Sequence, residues 1–347
     1  MKNLTIRFCT LLLVLLAMAL AQQKVFNLYT WTEYIDPTIV SDFEKATGIK
    51  VKISYYESNE EMVAKLQAGG VSQYDLVVPS DFIIPSMIQL KLLQPLDHSK
   101  LPNMKNLDPK FANPPFDPGN TYTVGYLWGT VGLMYRTDVF KTPPTSWAVI
   151  FDPRQQKGRF TLMDSVREQL GIALRYTGAS INTVDQKKIK EAVDALLKAK
   201  KSKNALEFQG GVSATKQILA GSTVAAVVYN QDALRVADGN PKYGFTIPKE
   251  GSTLFLDNMA IPAKAPNPGA AHKFINFLLD AKIGARLADY QKSATPNAAA
   301  KKLVDPKNLK NPAIWPSAEQ LKVLEFILDQ GKNNRLYDEA WTQVKSR

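Results

Sequence analysis

VFNLYTWTEYIDP, residues 25–37, is a strand, a loop and the start of a helix. Residues 25–29 are apolar and aromatic without helical spacing, the pattern of a buried parallel strand. Asp36-Pro37 has the form of an N-cap followed by proline in the first helical turn. This order puts the loop at the carboxyl end of the first strand, where open α/β sheets bind their ligands. The loop carries Trp31, Glu33 and Tyr34, and aromatic faces beside a carboxylate suit an organic cation.

The same alternation continues outward and argues for α/β architecture. A helix is expected from about Pro37 to Gly48, a strand over residues 50–55, a helix from about Asn59 to Gly69 and a third strand over 76–78. Pro79-Ser80-Asp81-Phe82 follows that strand, which should bring Ser80 and Phe82 beside the Trp31 loop. Residues 97–120 read as a long surface connection. Two short strands, TVGY and GLMY, are expected on either side of Trp128-Gly129 as a crossing into a second domain. Further on come a strand over 160–163, helices over 165–177 and 185–200, and a strand over 224–229 that runs into Asn230-Gln231-Asp232. Short strands at 254–256 and 259–261, flanking Asp257, form a second crossing, and helices fill 268–279, 283–290 and a tail near 336–345.

The chain has 347 residues and a formal charge of +11. Its first 21 residues have a basic start (Lys2, Arg7), an apolar run over 8–20 and an A-x-A pattern at Ala19 and Ala21, the form of a secretory signal peptide cleaved after Ala21. That run is too short for a comfortable membrane span, and no other stretch approaches about 20 apolar residues, so an exported, periplasmic chain without stable membrane insertion is expected. The single cysteine, Cys9, lies in the leader without the context of a lipidated cysteine. Roughly 325 mature residues suggest two domains and a core large enough to dispense with disulfides. No heptads or other association signature occur, and a monomer is expected.

Without Lys2 and Arg7 the charge is still +9, which invites a nucleic-acid or anionic-membrane reading. Much of it sits in QKKIKEAVDALLKAKKSKN, residues 186–204, where Ile189, Val193, Leu196 and Leu197 form one apolar stripe and the lysines take the other faces. That is a solvated helix surface; a nucleic-acid binder would gather lysines on one face with aromatics interleaved, and this helix has none.

Catalytic and metal signatures are missing from the sequence. His98 and His272 are the only histidines and lack ligand spacing, and there is no G-x-S-x-G, Walker loop or G-x-G-x-x-G, so neither an enzyme nor a cofactor is expected. Individual candidates carry bland alternatives. Ser165-Val166-Arg167-Glu168 has the spacing of a capping box, in which Glu168 would only satisfy the Ser165 amide. Asp257 beside Asn258 reads equally as a turn residue, Asp232 as a helix cap, and Trp31 and Tyr34 as core. Tyr55-Tyr56 could suggest ferric-iron ligands, but it ends a strand pattern that packing explains. What the bland readings leave unexplained is that carboxylates and aromatics repeatedly fall just after strands.

Taken in order, YTWTEYIDP, FEKATGIKV, YESNEEM, YDLVVPS, KLPNMKNLDP, YTVGYLWGT, IPKEG, DNMAIPA, KFINFLL and AWTQVKS make the chain resemble the periplasmic spermidine/putrescine-binding proteins of bacterial ABC uptake systems. The resemblance covers essentially the whole mature length. It implies a type II periplasmic binding fold: two α/β lobes with mixed sheets, joined by crossover strands, with the ligand in the cleft between them. Residues 22–127 with 257–300 would form one lobe and 128–256 with 301–347 the other, and the partners would be a polyamine and the transporter's permease subunits.

The resemblance also implies site residues. Trp31 and Tyr34 match aromatics that flank a methylene chain, Glu33 an acidic loop residue, and Ser80 the serine after the third strand. Phe82 stands where some members have tyrosine, and Tyr229 where tryptophan is usual. Phe255 matches an aromatic, and Glu168 and Asp257 match carboxylates that pair with ligand ammonium groups. Asp232 matches an acidic residue of putrescine-type members. Spermidine-type members have an additional aspartate where this chain has Ser165, a tyrosine at Ser293 and a glutamine at Ile327, so the departures favour a diamine. Other organic cations, or a sensing role through a membrane receptor, are the alternatives.

Mass spectrometry of the exported protein should give an unmodified chain beginning at Gln22, and light scattering a monomer. A retained or lipidated N-terminus would contradict the leader reading, and a stable dimer would contradict the monomer.

Overall fold

A computed structural model describes residues 25–237 and 239–346. The leader, with Cys9 and the cleavage point after Ala21, lies outside the described residues. Among those described, no helix is long and apolar enough to cross a membrane.

One mixed sheet organises the chain. Its strands are β1 (Val25–Trp31), β2 (Lys50–Tyr56), β3 (Leu76–Val77), β4 (Thr123–Arg136), β5 (Phe160–Met163), β6 (Ala205–Gln209), β7 (Ala225–Tyr229), β8 (Tyr243–Thr246), β9 (Ser252–Ala260) and β10 (Leu324–Phe326). They follow the order β2-β1-β3-β9-β4-β7-β5-β6, with β8 added on β4 and β10 on β9. Strands β1, β2 and β3 are mutually parallel on one side, β5, β6 and β7 on the other. Between them β4 and β9 run antiparallel to each other, paired from Thr123 with Ala260 to Thr130 with Leu254.

The two expected pairs of short strands are therefore two continuous strands. TVGY and GLMY belong to one 14-residue strand that passes through Trp128-Gly129 with a bulge between Gly125 and Leu127. Asp257 lies inside β9 opposite Leu127, not in a turn. Gly129 permits this crossing: a Cβ there would lie 2.2 Å from Oδ1 of Asn230 and 2.8 Å from the ring of Phe255. Elsewhere local chemistry sets the boundaries as expected. Asp36 caps the helix Pro37–Thr47 by accepting from the Thr38 amide, and Gly48 ends it in the left-handed region. Asp185 caps Gln186–Lys200, whose Ile189, Val193, Leu196 and Leu197 are buried.

Two hydrophobic cores flank the crossing strands. One gathers Phe26, Leu28, Phe43, Leu76, Val124, Leu127, Phe274 and Leu287, the other Val131, Leu133, Trp147, Phe160, Leu170, Leu196, Val227 and Tyr337. A small third cluster, Phe82 with Ile181 and Ile327, joins the Ser80 turn to the opposite side. Fully buried Asp75 fixes the near side, accepting from the Asn27 amide at 2.7 Å and the Asn267 amide at 2.5 Å.

Asp75→Ala removes the acceptor of two half-buried amides and should cost roughly 2–3 kcal/mol, the order expected when hydrogen bonds to a buried carboxylate are lost. Urea unfolding measures it. A variant within about 0.5 kcal/mol of wild type would show that Asp75 does not secure β1 to the helix Pro268–Leu278.

Candidate ligand-binding cleft

Because β1, β2 and β3 point one way and β5, β6 and β7 face them across the crossing strands, their carboxyl ends converge on one cleft. It encloses about 440 Å³, part of it open to solvent, and is lined by Trp31 at the end of β1 with Thr32 and Tyr34 after it, Tyr56 at the end of β2 with Glu57 after it, and Ser80 after β3. From the far side come Gly211 and Val212 after β6, and Tyr229 at the end of β7 with Gln231 and Asp232 after it. Asp257 enters from the middle of β9. No lysine or arginine lines it.

Asp257 is buried and held by two hydroxyl donors: Tyr34 Oη donates to one carboxylate oxygen and Ser80 Oγ to the other, each at 2.7 Å. The positions of both donors are themselves fixed. Tyr126 Oη donates to the Tyr34 carbonyl at 2.6 Å, and Ser80 is clasped by the Asn59 side-chain amide through both its amide and its hydroxyl at 3.1 Å. Burial pushes the Asp257 carboxyl up to about 7, against the lowering pull of these two hydroxyls, and negative Glu168 and Asp232 add to the rise.

Asp232, in the first turn of the helix Asn230–Ala237, is pushed up to about 6 by burial, while Arg235 at 3.4 Å pulls the other way. A Cβ on Gly211 would lie 2.1 Å from Asp232 Oδ2 and 3.2 Å from the Tyr229 ring. Glycine at 211 is thus what lets that carboxylate lie against the start of the helix Gly211–Leu219.

Aromatic faces complete the walls. Trp31 is oriented by its indole N–H, which donates to the Val78 carbonyl at 2.9 Å, and its ring lies 4.7 Å from that of Tyr56 and 6.5 Å from that of Tyr229. Tyr56 is pinned by its own hydroxyl, donating to the same carbonyl at 2.6 Å. Cleft packing and strand packing are here one role, and Tyr55 points away into solvent.

Four of the ten expected site residues are not in the lining. Glu168 is 1% exposed and sits behind the wall, accepting from the Ser165 hydroxyl and, at 3.2 Å, from Tyr229 Oη. The capping-box alternative fails, because Ser165 makes no side-chain cap bond. Burial raises the Glu168 carboxyl, with the two hydroxyls opposing. Phe255 backs the Tyr229 ring at 5.2 Å. Phe82 fills the contact with Ile181 and Ile327. Glu33 adopts φ 57° and stands at the rim, where Arg235 reaches its carboxylate at 3.1 Å and Lys216 at 3.8 Å.

Sequence reasoning missed Thr32, Tyr56, Glu57, Gly211, Val212 and Gln231. Glu57 directly follows β2, so the rule that located Ser80 would have located it too, and the Gly210-Gly211 pair after Gln209 marks a close backbone approach.

Comparison with known proteins agrees with this geometry. Residues 38–316 match the family of bacterial extracellular solute-binding proteins. The spermidine/putrescine-binding periplasmic protein of Escherichia coli is 38% identical over 92% of this chain and 90% of its own length. The putrescine-binding periplasmic protein of the same organism is 33% identical over 94% and 92%. A solved Listeria monocytogenes structure, assigned provisionally to a spermidine/putrescine ABC transporter, superposes with a TM-score of 0.84 at 36% identity, over 93% of this chain and 99% of that one. The chain belongs to the bacterial extracellular solute-binding proteins, in the group of the periplasmic spermidine/putrescine-binding proteins.

Proposed function

We propose that this protein captures a polyamine outside the cytoplasmic membrane and delivers it to the permease subunits of an ABC importer, with putrescine favoured over spermidine. The observation that carries the reading is a cleft with Asp232 and Asp257 in its lining, Glu168 buried behind it, aromatic walls and no lining cation. A linear diamine is the complement: hydrated ammonium groups joined by methylenes. Charge-assisted hydrogen bonds contribute roughly 1.5–3 kcal/mol each and cation–π contacts about 0.5–2, enough together for micromolar binding or better.

The cleft draws on both sides of the crossing strands, so ligand selects the closed arrangement. In this reading the lobes are 22–127 with 257–300 and 128–256 with 301–347, and they swing about β4 and β9. Arg235 bonded to Glu33, and Phe82 seated between Ile181 and Ile327, hold the closed form from outside the ligand space.

Preference for the shorter ligand rests on what adjoins the main cavity. A second space, lined by Glu57, Ser58, Met163, Asp164, Ser165 and Gly210 among others, presents Ser165 at the position where the resemblance places a carboxylate in spermidine-type members. The Ser165 hydroxyl is already given to Glu168, and Asp164 is paired with Lys345 at 3.0 Å. In place of its water a third ammonium would otherwise meet only the solvent-exposed Glu57 carboxylate, which already accepts from the Thr32 hydroxyl, and no buried carboxylate. An uncompensated buried charge costs several kcal/mol, more than three extra methylenes contribute at about 0.8 kcal/mol each.

Titration calorimetry should find putrescine at least as tight as spermidine. Asp232→Ser should weaken putrescine more than spermidine, and Asp257→Asn should weaken both by roughly tenfold or more. A tenfold preference of the wild type for spermidine would contradict the diamine assignment. Gly211→Ala should weaken putrescine also, because its methyl displaces Asp232; undiminished affinity would show that the close approach is dispensable.

Stability should depend on pH in a matching way. Asp257 and Asp232 hold their protons above the ordinary carboxylate value of 3.8, so the ligand-free native state binds more protons than the unfolded chain between about pH 4 and pH 7. These two groups therefore stabilise the fold fully below that window, and the contribution is lost as pH rises through it. Melting temperatures with and without putrescine should diverge as pH climbs from 5 to 8; a gap that narrows instead would contradict the assignment.

A further inference from the structure

The segment Asn230-Gln231-Asp232 presents three polar side chains where β7 enters the cleft, and their hydrogen bonding differs. The Asn230 amide is fully engaged, accepting from the Thr130 amide at 3.0 Å and donating to the Ala313 carbonyl at 3.0 Å. Asp232 is shared with Arg235. Gln231 is only 5% exposed and lines the cavity, yet its side-chain carbonyl oxygen is buried with no hydrogen-bond partner among the described residues. A buried acceptor left unmade costs about 1–3 kcal/mol and calls for an explanation.

We infer that Gln231 is a ligand-contacting, specificity-determining residue whose side-chain carbonyl accepts a hydrogen bond from the ligand ammonium that Asp232 also binds. This rests on the polyamine reading and adds to it. A primary ammonium has three N–H donors. At this end Asp232 is already drawn toward Arg235, which is itself bonded to Glu33 and, at 2.9 Å, to Gln291. A second acceptor is needed, and a neutral one supplies it without placing another negative charge beside Asp232 and Glu57. Asp257, by contrast, takes its two donors from the protein, and the carboxylate of Glu57 accepts from the Thr32 hydroxyl. Gln231 thus offers the ligand an acceptor with no protein partner to displace. It also favours a primary ammonium, because each N-methyl group removes a donor that the amide would meet.

The test is titration calorimetry of putrescine against wild type, Gln231→Leu and Gln231→Glu, with ligand-free melting temperatures recorded beside it. Gln231→Leu keeps the bulk and removes the acceptor. It should weaken putrescine roughly ten- to hundredfold, the range for a hydrogen bond to a charged group, while the ligand-free melting temperature holds or rises by a few degrees, because the unpaired acceptor goes with the substitution. Gln231→Glu keeps an acceptor and should stay within about tenfold of wild type. The wild-type preference for putrescine over N,N-dimethylputrescine should shrink in Gln231→Leu. Wild-type affinity in Gln231→Leu would overturn the inference and leave the polyamine reading standing. A ligand-free melting temperature lowered by more than about 5 °C would show a structural role and overturn it as well. A wild type that binds no polyamine would remove both.

Discussion

A carboxylate taken out of water needs a positive partner or enough N–H and O–H donors, or else it keeps its proton, and this protein gathers three under-partnered ones about one cleft. Asp257 has only the hydroxyls of Tyr34 and Ser80, Glu168 those of Ser165 and Tyr229, and Asp232 a shared guanidinium. Hydroxyl donors ease the burial of a charge but do not cancel it. The arrangement is therefore poised against itself without a ligand, and the dication we propose would complete it: its ammonium groups supply the missing charge and its methylenes suit the faces of Trp31, Tyr56 and Tyr229.

The crossing strands make that gathering possible. Asp257 lies within β9 at the level where β4 passes from one hydrophobic core to the other, so its carboxylate meets donors from the β1 and β3 loops and faces groups from the β7 end. The Gly129 approach and the bulge after Gly125 allow β4 to bend through this level while staying paired with β9. Contacts that hold the two sides together lie at the rim, where Arg235 grips the Glu33 carboxylate, its carbonyl and Gln291 at 2.9–3.1 Å. Arg235 thus serves both places, because the guanidinium that bridges the rim to Glu33 also tempers the charge of Asp232.

Much of this was legible in the sequence, for a physical reason: in α/β sheets the residues just after strands face the ligand. That rule pointed to Trp31, Tyr34 and Ser80, which line the cleft, and the family resemblance added Tyr229 and Asp232, which line it as well. The rule misjudged β9, because Asp257-Asn258 has turn composition and the donors that let an aspartate lie in a buried strand stand 223 and 177 positions away. Glu33 stands at the rim rather than in the lining. Its aromatic neighbours suit a cation site, but its backbone turns to φ 57° and its partner Arg235 is 202 positions distant. Gln231 falls under the same rule, two residues past the end of β7, but its unpartnered carbonyl oxygen becomes visible only in the structure.

The claim that buried, protonated carboxylates are recharged by a polycation is tested most directly by proton release. Putrescine binding measured calorimetrically near pH 6.5 in buffers of different ionisation enthalpy gives the number of protons expelled per ligand bound. The account predicts a clear release, on the order of half a proton or more, that declines toward zero by about pH 8.5, because Asp257 loses its proton near 7 and Asp232 near 6 as the ammonium groups arrive. Tight binding with no proton release at pH 6.5, or with proton uptake, would contradict it.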